Sequence, residues 1–127
     1  MRTSKVSARL LVVMAVIGAR PVLAQQTAPD TSAITPQAVD QGRAIFHGKG
    51  TCFACHGAQL EGTQLAPTLK SHAWRDAKNG QLDELFRVVT HGVPSTVMVA
   101  YPGGISRTDA LNVASYIWSV NNRNAKP

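Results

Sequence analysis

A chain of 127 residues and 13.5 kDa is long enough for one small domain and too short for two. Its formal charge of +6 and pI near 9.9 point at first to a polyanionic partner. Residues 1–24, however, hold Arg2, Lys5, Arg9 and Arg20 and no acid; without them nine basic side chains face seven acidic ones, a net +2 with no basic run, which excludes a nucleic-acid partner. In that first segment Arg2, Lys5 and Arg9 form a basic n-region, and LLVVMAVIGA, Leu10 to Ala19, forms an apolar h-region. Val22 and Ala24 supply the small residues of a cleavage site, so residues 1–24 are expected to be an export signal that leaves Gln25 as the mature N-terminus. As a helix the apolar run spans roughly 15 Å against ~30 Å of hydrocarbon, so no stable membrane insertion is expected.

Residues 25–35, QQTAPDTSAIT, are polar and rich in Ser and Thr, and are expected to form a flexible tail ahead of a domain over 36–127. Thr35 can cap a helix whose first position suits Pro36, and Val39, Gly42, Ile45 and Phe46 recur at helical spacing up to Gly48. From the cysteines to Gly80, the breakers Gly57, Gly62 and Pro67 predict loop with at most short helical turns. QLDELFRVVTHG then sets Leu82, Leu85, Phe86 and Val89 on one face and closes on Gly92. The last helix opens on Ser106 and Asp109 in an S-x-x-D arrangement and runs through Leu111, Val113, Ala114, Tyr116, Ile117 and Val120. No alternating run predicts a strand, and the fold class is all-α, three main helices with long loops. So much loop in about a hundred residues buries little apolar surface, and a flat apolar cofactor enclosed by the loops would supply the missing core.

The two cysteines of the chain, Cys52 and Cys55, stand three residues apart with His56 directly after them. A redox dithiol of the thioredoxin type wants a βαβ unit, and no strands are predicted. A structural zinc needs four ligands, and no second closely spaced pair completes the set, although His47, His72 or His91 could in principle supply a fourth. C-x-x-C-H is the c-type haem attachment pattern. Two cysteines one turn apart can reach the two vinyl carbons along one porphyrin edge, and the next residue turns its imidazole toward the iron. Export also suits a cysteine pair consumed by thioether bonds.

From Gly42 to Tyr116 the mature chain resembles a class I c-type cytochrome of the small bacterial single-haem kind. The resemblance implies a cytochrome c fold, with three main helices and long loops enclosing one covalent haem c. Gly42 and Phe46 match the glycine and aromatic of that family's first helix, and Tyr116 matches the last-helix aromatic that crosses the glycine. The family's sixth ligand is a methionine on the loop before the last helix, and Met98, the one methionine of the mature chain, sits in STVMVAYPGGISRTDALNVASYI. Tyr101, Gly103, Gly104, Ser106 and Asp109 fall where the family's pattern wants them. By the same resemblance Pro67 offers the carbonyl that orients the proximal imidazole, Leu69 lines the pocket, and Trp74 stands near a haem propionate. His47, His72 and His91 are assigned no role, with His91 the rival for the sixth position. One departure stands out: the family follows its ligand methionine with proline, and this chain has Val99.

The ligand set that the resemblance implies, His56 and Met98, leaves no open position on the iron. The expected function is therefore periplasmic electron transfer, not enzymatic turnover. Expected partners are redox proteins, namely a dehydrogenase, an oxidase or another cytochrome, met as a monomer or as a subunit of a complex. The alternatives are a dedicated haem subunit of a periplasmic dehydrogenase or terminal oxidase, and a ligand-binding sensor with a labile sixth position.

Overall fold

The computed structural model describes residues 28–70 and 74–122. The expected export signal and His72 lie outside them. Among the described residues every regular element is helical. Helix α1 spans Pro36–His47: the Thr35 hydroxyl accepts the Ala38 N–H at 3.1 Å, and Pro36 occupies the first turn, where its missing N–H costs nothing. A single turn, α2, covers Phe53–His56. Helix α3, Leu82–His91, carries Asp83 and Glu84 in its first turn, where the helix dipole favours them, and buries Leu82, Leu85, Phe86 and Val89. Helix α4, Arg107–Asn122, begins with a reciprocal cap. The Asp109 N–H donates to Ser106 Oγ at 3.1 Å and the Ser106 N–H to Asp109 Oδ2 at 2.9 Å, so two otherwise orphaned donors are satisfied.

Helix α4 packs against both α1 and α3. Its crossing with α1 is set by Gly42, where any Cβ would collide with the Asn112 carbonyl oxygen, so only glycine lets the two backbones touch. Beside the crossing, the fully buried Phe46 and Tyr116 rings meet edge to face, 5.6 Å between centroids at 65°. The core continues through Ile45, Val113, Ala114 and Ile117 to the apolar face of α3.

Ordered structure starts ahead of the boundary read from the sequence. Thr31–Ala33 forms a 3₁₀ turn capped by Asp30, whose carboxylate accepts the Ser32 N–H at 2.8 Å, and Ile34 is 5% exposed within the core cluster. The expected tail thus includes a segment anchored by its one large apolar side chain. No helix of the described residues is long and apolar enough to cross a membrane.

Candidate functional site

The site is built around α2. Thr51 adopts φ +53° and turns the chain so that Cys52 enters in helical geometry, and the Cys52 carbonyl accepts from the N–H groups of Cys55 at 3.3 Å and His56 at 3.0 Å. One helical turn therefore separates the two thiols, with the imidazole following. All three residues line a cavity of about 270 Å³, and Met98 lines it too. Its walls are apolar and come from every part of the fold: Phe46 from α1, Leu69 and Trp74 from the long loop, Leu85 and Val89 from α3, Ile117 from α4.

His56 Nδ1 donates to the Pro67 carbonyl at 2.9 Å, which leaves Nε2 as the ring's free nitrogen. Burial lowers its pKa against the opposing pull of that carbonyl, so the imidazole is kept neutral, the form a metal requires. Burial also pushes the Cys52 thiol up to about 11. Pro67 is placed by the loop's own ladder: Gly62 N–H to His56 O at 2.7 Å, Thr63 Oγ1 to Cys55 O at 2.6 Å, and Leu69 N–H to Leu60 O at 2.8 Å.

The methionine segment is a tight loop hung from the end of α3. Gly92 leaves the helix at φ +69°, and a Cβ there would lie 2.5 Å from the Met98 carbonyl oxygen. That carbonyl accepts the Val93 N–H at 2.9 Å, the Met98 N–H donates to Thr96 Oγ1 at 3.1 Å, and the Tyr101 N–H returns to Val89 O at 2.9 Å. Met98 is half-buried, flanked by the exposed Val97 and Val99. Neither His91 nor His47 lines the cavity. His91 lies exposed at the end of α3 with Nδ1 against Arg87 O, and His47 sets its two ring nitrogens 2.9 Å from the carbonyls of Arg43 and Ala58.

These residues fit a covalent haem. The cavity joins two thiols, an imidazole with a free nitrogen, a thioether and apolar walls, and its wall residue Trp74 has a buried Nε1 with no hydrogen-bond partner among the described residues. Such a donor calls for an acceptor that the described residues do not supply. The four residues singled out from the sequence, Cys52, Cys55, His56 and Met98, all line this one cavity; the wall residues of α3 and α4 were not singled out, because pattern alone marks them only as core-facing. Sequence reasoning also missed His47 and Asn121, whose side chains bond to the backbone of the loop that holds Pro67.

Residues 37–117 match the family described as cytochrome c oxidase, cbb3-type, subunit III. The cbb3-type cytochrome c oxidase subunit CcoP of Azospirillum sp. (strain B510) is 29% identical over 96 residues, 66% of this chain but only 31% of that protein. The chain thus spans about a third of the length of this curated relative. Cytochrome cL from the marine methylotroph Methylophaga aminisulfidivorans has a similar fold, with a TM-score of 0.63 at 24% identity over 75% of this chain and 63% of that one. Cytochrome c6 from the diatom Phaeodactylum tricornutum aligns with a TM-score of 0.57 at 27% identity, over 68% and 98% of the two chains. With the family matched over most of its length and the cytochrome c fold shared with solved structures, the chain belongs to the cytochrome c oxidase, cbb3-type, subunit III family, whose c-type cytochrome domain carries covalently bound haem c.

Proposed function

We propose that the chain is an exported electron carrier of the periplasm, in which Cys52 and Cys55 hold one haem c and His56 and Met98 take the two axial positions of its iron. The observation that carries this proposal is the convergence of all four side chains on one apolar cavity. Bound there, haem supplies one-electron chemistry between ferrous and ferric iron. Every other part of the function falls to the protein. Pro67 fixes the orientation and basicity of His56 through the 2.9 Å bond to Nδ1. Met98 offers a neutral thioether, and the apolar walls exclude water; both disfavour the extra charge of the ferric state and raise the potential. With both axial sites filled by side chains, no position is left for a substrate, so the chain exchanges electrons and is not an enzyme. Trp74 Nε1, without an acceptor among the described residues, would donate to a haem propionate.

The rim of the cavity supports a docking role. Leu65, Val97 and Val99, at 65%, 66% and 59% exposure, all line it, and its charged members Arg75 and Asp76 neutralise each other at 2.9 Å. A redox protein with an uncharged, apolar face is the partner that this rim fits. The CcoP relative is an oxidase subunit, which favours a terminal oxidase as that partner. The test is carbon monoxide binding to the ferrous protein at neutral pH. The parent protein should bind it slowly or not at all, and Met98→Ala should bind it rapidly with haem still attached. Rapid binding by the parent would show an open sixth position and overturn the carrier function, whereas an unaltered spectrum in Met98→Ala would transfer the sixth position from Met98 to a histidine.

A further inference from the structure

The loop over residues 57–70 carries the Pro67 carbonyl that takes the His56 Nδ1 proton. Most of its hydrogen bonds stay inside it or return to α2: Thr63 N–H to Ala66 O at 2.9 Å, Leu69 N–H to Leu60 O at 2.8 Å, and Thr68 Oγ1 to Leu60 O at 3.0 Å. Such a closed loop is a small rigid body, and its pose relative to the helices must come from outside. Among the described residues two side chains reach its backbone from beyond α2. His47, at the end of α1, brings Nε2 to 2.9 Å from Ala58 O at the loop's start. Asn121, in the last turn of α4, donates Nδ2 to Leu69 O at 2.8 Å at the loop's far end, and the same nitrogen lies 2.8 Å from Ile117 O of its own helix. The Leu69 peptide is thereby held on both sides, its N–H by Leu60 and its C=O by Asn121, two residues from Pro67. Ile117 itself forms part of the cavity wall, so the amide links the wall of α4 to the loop that aims the carbonyl.

We propose that Asn121 is a positioning residue for the proximal ligand: by pinning Leu69 O to the end of α4, it holds the Pro67 carbonyl on His56 Nδ1 and so sets the basicity of the imidazole. This inference rests on His56 being an axial ligand. An imidazole that donates firmly through Nδ1 is more electron-rich at Nε2 and favours the ferric state; loosening that bond shifts the balance toward ferrous. Nothing in the local sequence marks the role, because the contact joins positions 52 residues apart.

The test uses the haem-loaded protein labelled with ¹⁵N in its imidazole rings. The parent, Asn121→Leu, Asn121→Gln and Asn122→Leu are compared; Asn122 is an exposed neighbour whose amide, among the described residues, donates to Trp118 O within α4. Asn121→Leu should speed solvent exchange of the His56 Nδ1 proton roughly fivefold, the loss of about one net hydrogen bond, and should lower the ferric-to-ferrous ratio at a fixed poise by up to the same factor. Asn121→Gln, which keeps a donor, should recover part of both effects, and Asn122→Leu should cause neither. If Asn121→Leu lowers the denaturation midpoint but leaves exchange and redox balance unchanged, Asn121 is only structural and the inference fails. Should Asn121→Leu not accumulate, the glutamine variant decides alone: exchange between that of the parent and fivefold faster, with an upward shift in potential, supports the role, and parent-like values for both overturn it. A His56 Nδ1 resonance without hyperfine shift in the ferric parent would overturn the ligand assignment itself, a failure distinct from the first.

Discussion

Val99 is where a single residue separates this chain from the pattern that it otherwise follows. Its N–H donates to no acceptor among the described residues, its φ is negative, and its side chain is 59% exposed. Each is a condition for tolerating proline, which would fix its own φ and bias Met98 toward extended conformations. The loop that presents Met98 is held by short-range bonds, chiefly Val93 N–H to Met98 O and Met98 N–H to Thr96 Oγ1, so a detached loop has much freedom to lose. Val99→Pro is therefore expected to stabilise sulfur ligation by roughly 0.4 to 1 kcal/mol, through entropy removed from the detached state. That corresponds to an upward shift of roughly 0.3 to 0.7 unit in the alkaline midpoint at which the sulfur-to-iron charge-transfer band disappears. A midpoint that does not move would mean that packing alone already organises the loop. The four residues proposed to hold haem stood out in the sequence because haem attachment would dictate their spacing: Cys52, Cys55 and His56 through porphyrin geometry, Met98 through its place before the last helix, and all four line one cavity. Asn121 and His47 were not legible, because a side-chain amide or imidazole that meets a distant carbonyl imposes no periodicity on its neighbours.

Among the elements, the start of α4 does more than cap a helix. Asp109 closes the reciprocal bond with Ser106 and also receives Lys49 Nζ at 2.7 Å, which ties the segment just before Cys52 to the helix that backs the cavity. The hydrogen bond from Lys49 first, and the Ser106 N–H second, hold its carboxyl down at about 2, against an ordinary 3.8. A depressed carboxyl contributes stability that is complete above its unfolded pKa and is lost as pH falls toward its folded one, so this junction weakens between about pH 4 and pH 2. Lys49 is 60% exposed, so salt screens its share. Lys49→Met should flatten the acid limb of a plot of denaturant midpoint against pH in that window, with the difference from the parent shrinking in ~1 M salt. Parallel limbs would assign the junction's stability to the Ser106 cap alone. Elements with strong helical spacing and good caps were readable to within a residue or so: Thr35 and Pro36 for α1, Gly92 for the end of α3, Ser106 and Asp109 for α4. The turn at Thr31–Ala33 was not, because its anchor is the single buried residue Ile34 and one apolar position makes no pattern.

For the molecule as a whole, the distribution of apolar contact decides how folding and haem attachment relate. The packed interior lies along α4, where α1 crosses at Gly42 and α3 lies alongside, while the loops over 57–70 and 92–105 close on themselves through backbone bonds. Between them, Leu69, Leu85, Val89 and Ile117 face a common cavity, and Leu65, Val97 and Val99 stand exposed at its rim. A domain this small has only about 5 to 10 kcal/mol of net stability with a complete core. Leu69, Leu85, Val89 and Ile117, which line the cavity, would supply part of that on covering haem, at about 25 cal/mol for each Å² covered. Attachment and folding should therefore be one event: replacing Cys52 or Cys55 with Ser should sharply reduce the yield of folded, coloured protein, and the double variant should show no cooperative unfolding transition at 25 °C. Helix content by circular dichroism and a denaturant titration read this directly. A colourless Cys52→Ser, Cys55→Ser protein with native helix content and a cooperative transition would show that α1, α3 and α4 stand without the cofactor, and the cavity would then be a preformed receptacle in place of an unfinished core.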